Sequence, residues 1–171
     1  KLWEFANGVD DSRVRPFDYE PVAKSVGHGI TCTADLENSN EVLQVLFELA
    51  QGVSLRLRQA ALIATRVQIY IRDCNLNYRQ FQCKLPYPTQ SWREMVNCAI
   101  DLFRLRYTWQ YPIRAVTIRA VDLISASMPQ QLDLFGEHEK RKRNDNLEIA
   151  IEDIQRRFGR DAIRLASSMN G

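Results

Sequence analysis

Few side chains in this 171-residue chain are spaced for catalysis or metal binding. Cys32, Cys74, Cys83 and Cys98 lie 42, 9 and 15 positions apart, with no C-x-x-C and no histidine at ligand spacing. That spacing argues against zinc and for buried free thiols in a reducing compartment. What recurs instead is a set of amides, hydroxyls and cations at every second position: Gln68, Tyr70 and Arg72, then Gln80, Gln82 and Lys84, then Thr117 and Arg119. Lysine and arginine attract phosphates, while amides, hydroxyls and backbone N–H groups fix their position. Lys24 and Ser25 precede a Gly27-His28-Gly29 step whose glycines mark either a bulge or a close approach by another backbone or ligand.

Secondary structure must place these residues together. Residues 65–72 and 78–85 alternate apolar with polar and are joined by the short polar step at 74–77, which predicts a hairpin. Residues 23–33 and 113–123 read as two further strands. Apolar residues at 42, 45, 46, 49, 53 and 57 have helical spacing behind an Asn38/Glu41 capping box, and Ser91/Glu94 opens a second helix. The order β-α-β-β-α-β predicts an α+β fold, a four-stranded antiparallel sheet with both helices on one face, followed by a C-terminal helical tail. The other face is then open and carries the alternating polar set.

Composition supports a folded protein: 45% of residues are hydrophobic and 26% charged. No apolar run approaches the ~20 residues of a membrane span, and the chemistry so far needs no membrane partner. The formal net charge of +2 is unevenly distributed. Residues 52–120 hold 11 basic and 3 acidic side chains, and residues 1–51 hold 4 and 9. A basic middle that contains the open face points to a polyanion. At the start, residues 2–8 read as a helix tail stopped by Gly8, which suggests the C-terminal part of a larger protein.

Three segments then resemble the Y-family translesion DNA polymerases, closest to the polymerase IV/V-like members of Gram-positive bacteria. They are Leu-Trp-x-x-Ala-x-Gly-Val-Asp at 2–10, Lys-Ser-Val-Gly-His-Gly-Ile-Thr at 24–31 and Tyr-Pro-Ile-Arg-Ala-Val-Thr-Ile at 111–118. The resemblance implies the end of a thumb helix at 1–10, a linker at 11–22 and a "little finger" DNA-binding domain at 23–123. It implies a clamp-binding loop and charged linker at 124–143, then a helix and tail at 144–171. Duplex or primer-template DNA is the implied ligand, with Lys24, Ser25, Gly27, His28, Arg72 and Arg119 contacting phosphates beside Gln68, Lys84 and Thr117 of the open face. The family's catalytic acids and their Mg2+ ions sit in a palm that no segment here matches. The expectation is therefore no catalytic residue, no metal site and no cofactor in this chain. The parent would be a cytoplasmic polymerase of DNA repair and the SOS response.

Gln131-Leu132-Asp133-Leu134-Phe135 matches the pentapeptide by which bacterial proteins bind the beta sliding clamp. Burying its two leucines and phenylalanine gains roughly 5–8 kcal/mol gross, of which loop ordering removes much. Micromolar affinity, about 8 kcal/mol, is the expected upper end. Beyond a charge run at 137–143 that reads as linker, Leu147, Ile151, Ile154 and Phe158 form a stripe expected to pack on the domain. The alternative is a partner-binding helix, and the resemblance implies a recombinase or other SOS protein as a candidate. The competing function is an RRM-like single-stranded nucleic-acid-binding domain, which requires exposed aromatics on the central strands.

Overall fold

The structure, a computed structural model, describes residues 1–19, 23–128, 137–159 and 161–163. A short helix α1, Leu2–Ala6, ends as its sequence predicts: Gly8 takes φ 76° and donates to the Phe5 carbonyl, while the Val9 N–H bonds the Glu4 carbonyl.

The sheet contains β1 (Ser25–Leu36), β2 (Leu62–Asp73), β3 (Tyr78–Thr89) and β4 (Ile113–Ser125) in the order β1-β4-β2-β3, every neighbouring pair antiparallel. Helices α2 (Ser39–Gln59) and α3 (Trp92–Arg106) make the two crossovers and cover one face. This is the expected β-α-β-β-α-β order, with β2 and β4 central and β1 and β3 at the edges. β3 runs past its expected end at Leu85, through Pro86 and Pro88 to Thr89. An edge strand tolerates prolines because its outer N–H groups need no ladder partner.

Caps set the helix starts. Asn38 accepts from the Asn40 and Glu41 N–H groups, and Ser91 accepts from the Glu94 N–H. Between helices and sheet, Leu46, Val53, Met95, Phe103, Ile69 and Ile118 lie in one core cluster. Packed against it, the Cys83 and Cys98 sulfurs meet across β3 and α3, so the expected four free thiols reduce to Cys32 and Cys74. The Cα atoms of the touching pair are 7.3 Å apart, wider than the usual disulfide span.

The last helix, α4 (Glu137–Phe158), begins within the run expected to be linker, because Glu, Lys and Arg are strong helix formers. It docks, though not by the expected stripe. Leu147, Ile154 and Phe158 are 50%, 38% and 69% exposed, while Glu148 is 1% exposed. The Glu148 carboxylate accepts from Ser91 Oγ (2.6 Å), the Trp92 N–H (3.2 Å) and Arg58 Nη2 (2.9 Å); Arg58 also pairs with Glu152. The hydropathy pattern failed here because the anchor is a carboxylate seated at the positive N-terminus of α3. Arg141 adds a guanidinium 3.1 Å from the Tyr87 ring centroid. Burial, with a hydrogen bond to Glu94, pushes the Tyr87 hydroxyl up to about 12.

Candidate nucleic-acid interface

The strand registers place the polar residues of the open face in four transverse rows. In the order β1-β4-β2-β3 these are Ser25-Val121-Arg66-Lys84, Gly27-Arg119-Gln68-Gln82, Gly29-Thr117-Tyr70-Gln80 and Thr31-Ala115-Arg72-Tyr78. At about 3.4 Å per residue the rows span roughly 20 Å along the strands. The expected residues Ser25, Gly27, Gln68, Arg72, Lys84, Thr117 and Arg119 thus share one surface, with Lys24 exposed at the entry to β1. Arg66 and Tyr78 were not singled out from the sequence, although period-two spacing from Gln68 and Gln80 puts them on the same face.

His28 is placed apart from the other expected contacts. Side chains alternate along a strand, so His28, paired with Ile118, projects to the helix side between Gly27 and Gly29. A Cβ on Gly52 of α2 would come within 2.9 Å of His28 Nδ1. Its imidazole therefore does not join the open face.

The two glycines serve close approach, and register is unbroken from Ser25 to Thr31, so they mark no bulge. A Cβ on Gly27 would stand 3.1 Å from both Cγ and Nε of Arg119. One on Gly29 would collide with the Thr117 side chain, 2.9 Å from its Cβ. The approaching groups belong to β4, whose arginine and threonine lie across β1 where side chains are missing.

Charge on the face is largely uncompensated. Arg66 Nε bonds Asp122 Oδ2 at 2.9 Å. Asp122 has φ 52°, and its carbonyl accepts from Thr65 Oγ1. Among the described residues Lys24, Lys84, Arg72 and Arg119 have no carboxylate partner. Among the described residues Arg72 hydrogen-bonds through Nη2 to Thr31 Oγ1, at 3.4 Å, and its buried Nε is without a partner. Tyr70 stacks on Tyr78 with centroids 5.6 Å apart, and beside it lies a hollow of about 300 Å³ lined by Gln68, Tyr70, Gln80, Thr117 and Arg119.

Among the described residues no group of three or more His, Cys, Asp or Glu is arranged to hold a metal ion. No described helix is long and apolar enough to cross a membrane. Gln131, Leu132, Asp133, Leu134 and Phe135 lie outside the described residues.

Known proteins resemble this chain in sequence and in fold. The chain is 32% identical over 163 residues to the DNA polymerase IV of Acetivibrio thermocellus, covering 95% of this chain and 41% of that protein. It is 31% identical over 172 residues to DNA polymerase IV 2 of Bacillus subtilis, covering 98% of this chain and 40% of that one. The chain thus spans about two fifths of the length of the curated relatives it matches. Its fold is that of the little finger domain of PolIV, solved in complex with a beta-clamp processivity factor (TM-score 0.50, 18% identity, 65% of this chain and 98% of that one). A Y-family DNA polymerase chimera shares the fold as well (TM-score 0.55, 17% identity, 72% of this chain and 34% of that one). The description "impB/mucB/samB family C-terminal domain" matches residues 23–134, and the chain belongs to that family.

Proposed function

We propose that this chain is the DNA-gripping and clamp-binding region of a Y-family translesion DNA polymerase. The observation that carries the DNA reading is the four-row open face, where Lys24, Lys84, Arg72 and Arg119 are free of carboxylates among the described residues and two glycines let β4 side chains lie flat. A sheet of that kind meets a duplex through its backbone, with affinity from the cations and position from Gln68, Thr117, Ser25 and backbone N–H groups. Titration of labelled duplex at a series of salt concentrations tests it. Binding is expected to be insensitive to sequence, and its log–log salt slope to fall by about one unit each on Arg72→Ala and Arg119→Ala. Salt-independent binding, or none, would overturn the reading.

Clamp binding is assigned to Gln131–Phe135, where Leu132, Leu134 and Phe135 would fill an apolar pocket and Gln131 would bond at its rim. Support comes from the pentapeptide and from the clamp complex of the structurally similar PolIV domain. Calorimetry with a bacterial beta clamp checks it, and replacing Leu134 and Phe135 by Ala is expected to abolish binding. In this reading the parent polymerises DNA with Mg2+ held by acids of its palm. It acts in the bacterial cytoplasm in repair and the SOS response, and its tail is offered to a recombinase or other SOS protein. Bacterial relatives named DNA polymerase IV support the parent's activity. A single-strand binder of the RRM type is disfavoured, because the central strands expose one aromatic, Tyr70, and Tyr78 covers one of its faces.

A further inference from the structure

We propose that the hollow beside Tyr70 is a receptor for one unpaired nucleobase of the bound DNA. The inference rests on the DNA contact proposed above and gives that face a second ligand, an extrahelical or overhanging nucleotide. Tyr70 is half-buried and braced by its stack on Tyr78, so the aromatic wall is held in place before any ligand arrives. Every nucleobase has a π-face, so such a wall accepts bases with little regard to sequence.

The rest of the lining completes the recognition. Gln68 and Gln80 offer amide donors and acceptors to a base edge, and the side-chain bond of Gln68 to Gln82 is a long one, 3.4 Å. Arg119 and Thr117 flank the hollow on the β4 side, where a nucleotide's own phosphate would meet cation and hydroxyl. A volume of about 300 Å³ leaves room for one base. A stacked, paired base would have to be extracted first, whereas a base already unpaired carries the smaller cost.

The test compares one duplex with the same duplex carrying a single extrahelical 2-aminopurine, each titrated against the full 171-residue chain. The bulged duplex is expected to bind about tenfold tighter, with quenching of 2-aminopurine fluorescence. Tyr70→Ala is expected to bring the affinity ratio to about one, and Tyr70→Phe to keep it. Should Tyr70→Ala lose its cooperative melt, Gln80→Ala at an exposed position provides the second variant, and its ratio is expected to fall as well. Equal affinity for the two duplexes, or a preference that survives these substitutions, overturns the base receptor and leaves the DNA contact standing. Failure to bind either duplex overturns both, which separates the two results.

Discussion

Arg119 lies across Gly27: its Cγ and Nε stand 3.1 Å from where a Cβ on that glycine would be. The glycine is a seat for a cation, and the same holds one row along, where Thr117 occupies the space above Gly29. The two seats differ in stiffness. Arg119 approaches Gly27 closest with flexible parts of a long side chain, whereas the Thr117 Cβ at 2.9 Å from the Gly29 position is fixed to the backbone of β4.

That difference separates two substitutions. Gly27→Ala is expected to leave stability within about 0.5 kcal/mol while displacing Arg119 and weakening duplex binding several-fold. Gly29→Ala forces overpacking and is expected to cost about 1–3 kcal/mol. Urea melts beside anisotropy titrations distinguish them; a Gly27→Ala variant less stable than Gly29→Ala would contradict the seat model.

Alternation at period two was enough to place Gln68, Tyr70, Arg72, Gln80, Gln82, Lys84, Thr117 and Arg119 on one surface, since a strand buried on one side leaves no choice of register. The Asn38 and Ser91 caps were readable because their side chains act within three residues. Long-range features were not readable. Nothing local to Gly27 says that its empty space belongs to Arg119, 92 positions away. The docked face of α4 was misjudged for the same reason. Its anchor, Glu148, looks like any solvated helix glutamate until Arg58, Ser91 and Trp92 are brought to it.

Arg58 holds both Glu148 and Glu152, so its loss should release α4 without melting the sheet. Arg58→Ala leaves the Glu148 carboxylate buried and stripped of its counter-charge, a defect that costs about 3–5 kcal/mol. The chain escapes that cost by undocking the helix. Hydrogen exchange is expected to lose protection throughout residues 139–158 while Val67, Ile69 and Ile118 keep theirs. Uniform loss across the domain would instead make α4 part of the global fold.

Glu152 adds a pH-dependent part to this contact. Burial raises the Glu152 carboxyl above the ordinary glutamate range, against the pull of Arg58, and nearby Glu148 and Asp153 push it further. The docked state therefore holds the proton more firmly than the free helix. The Glu152 contribution to docking is fully present below the ordinary glutamate value of about 4.3 and is lost as pH rises through the raised pKa. Asp35 has the opposite sign. Its hydrogen bond with Arg114 lowers its pKa, so its contribution is present above the ordinary aspartate range and is lost on acidification. Exchange rates of α4 amides, corrected for intrinsic pH dependence, are expected to rise with pH in the chain as it is and to flatten in Glu152→Gln; an unchanged slope would remove Glu152 as the cause.

Among the described residues Asp122 is the one acid that restrains a cation of the open face, through its 2.9 Å bond to Arg66. It sits at φ 52°, a left-handed conformation that asparagine and aspartate tolerate better than other non-glycine residues. Asp122→Asn therefore keeps the backbone bend and the carbonyl that accepts from Thr65 Oγ1, and removes only the charge. The lost ion pair is surface-exposed and should change stability by less than about 1 kcal/mol. Arg66, released beside Lys84, becomes available to a phosphate, so duplex affinity at low salt should rise several-fold and the salt slope steepen by about one unit. The gain should disappear in the double variant Arg66→Ala, Asp122→Asn. A gain that persists there would mean that Asp122 acts by general repulsion of the DNA and not by holding Arg66.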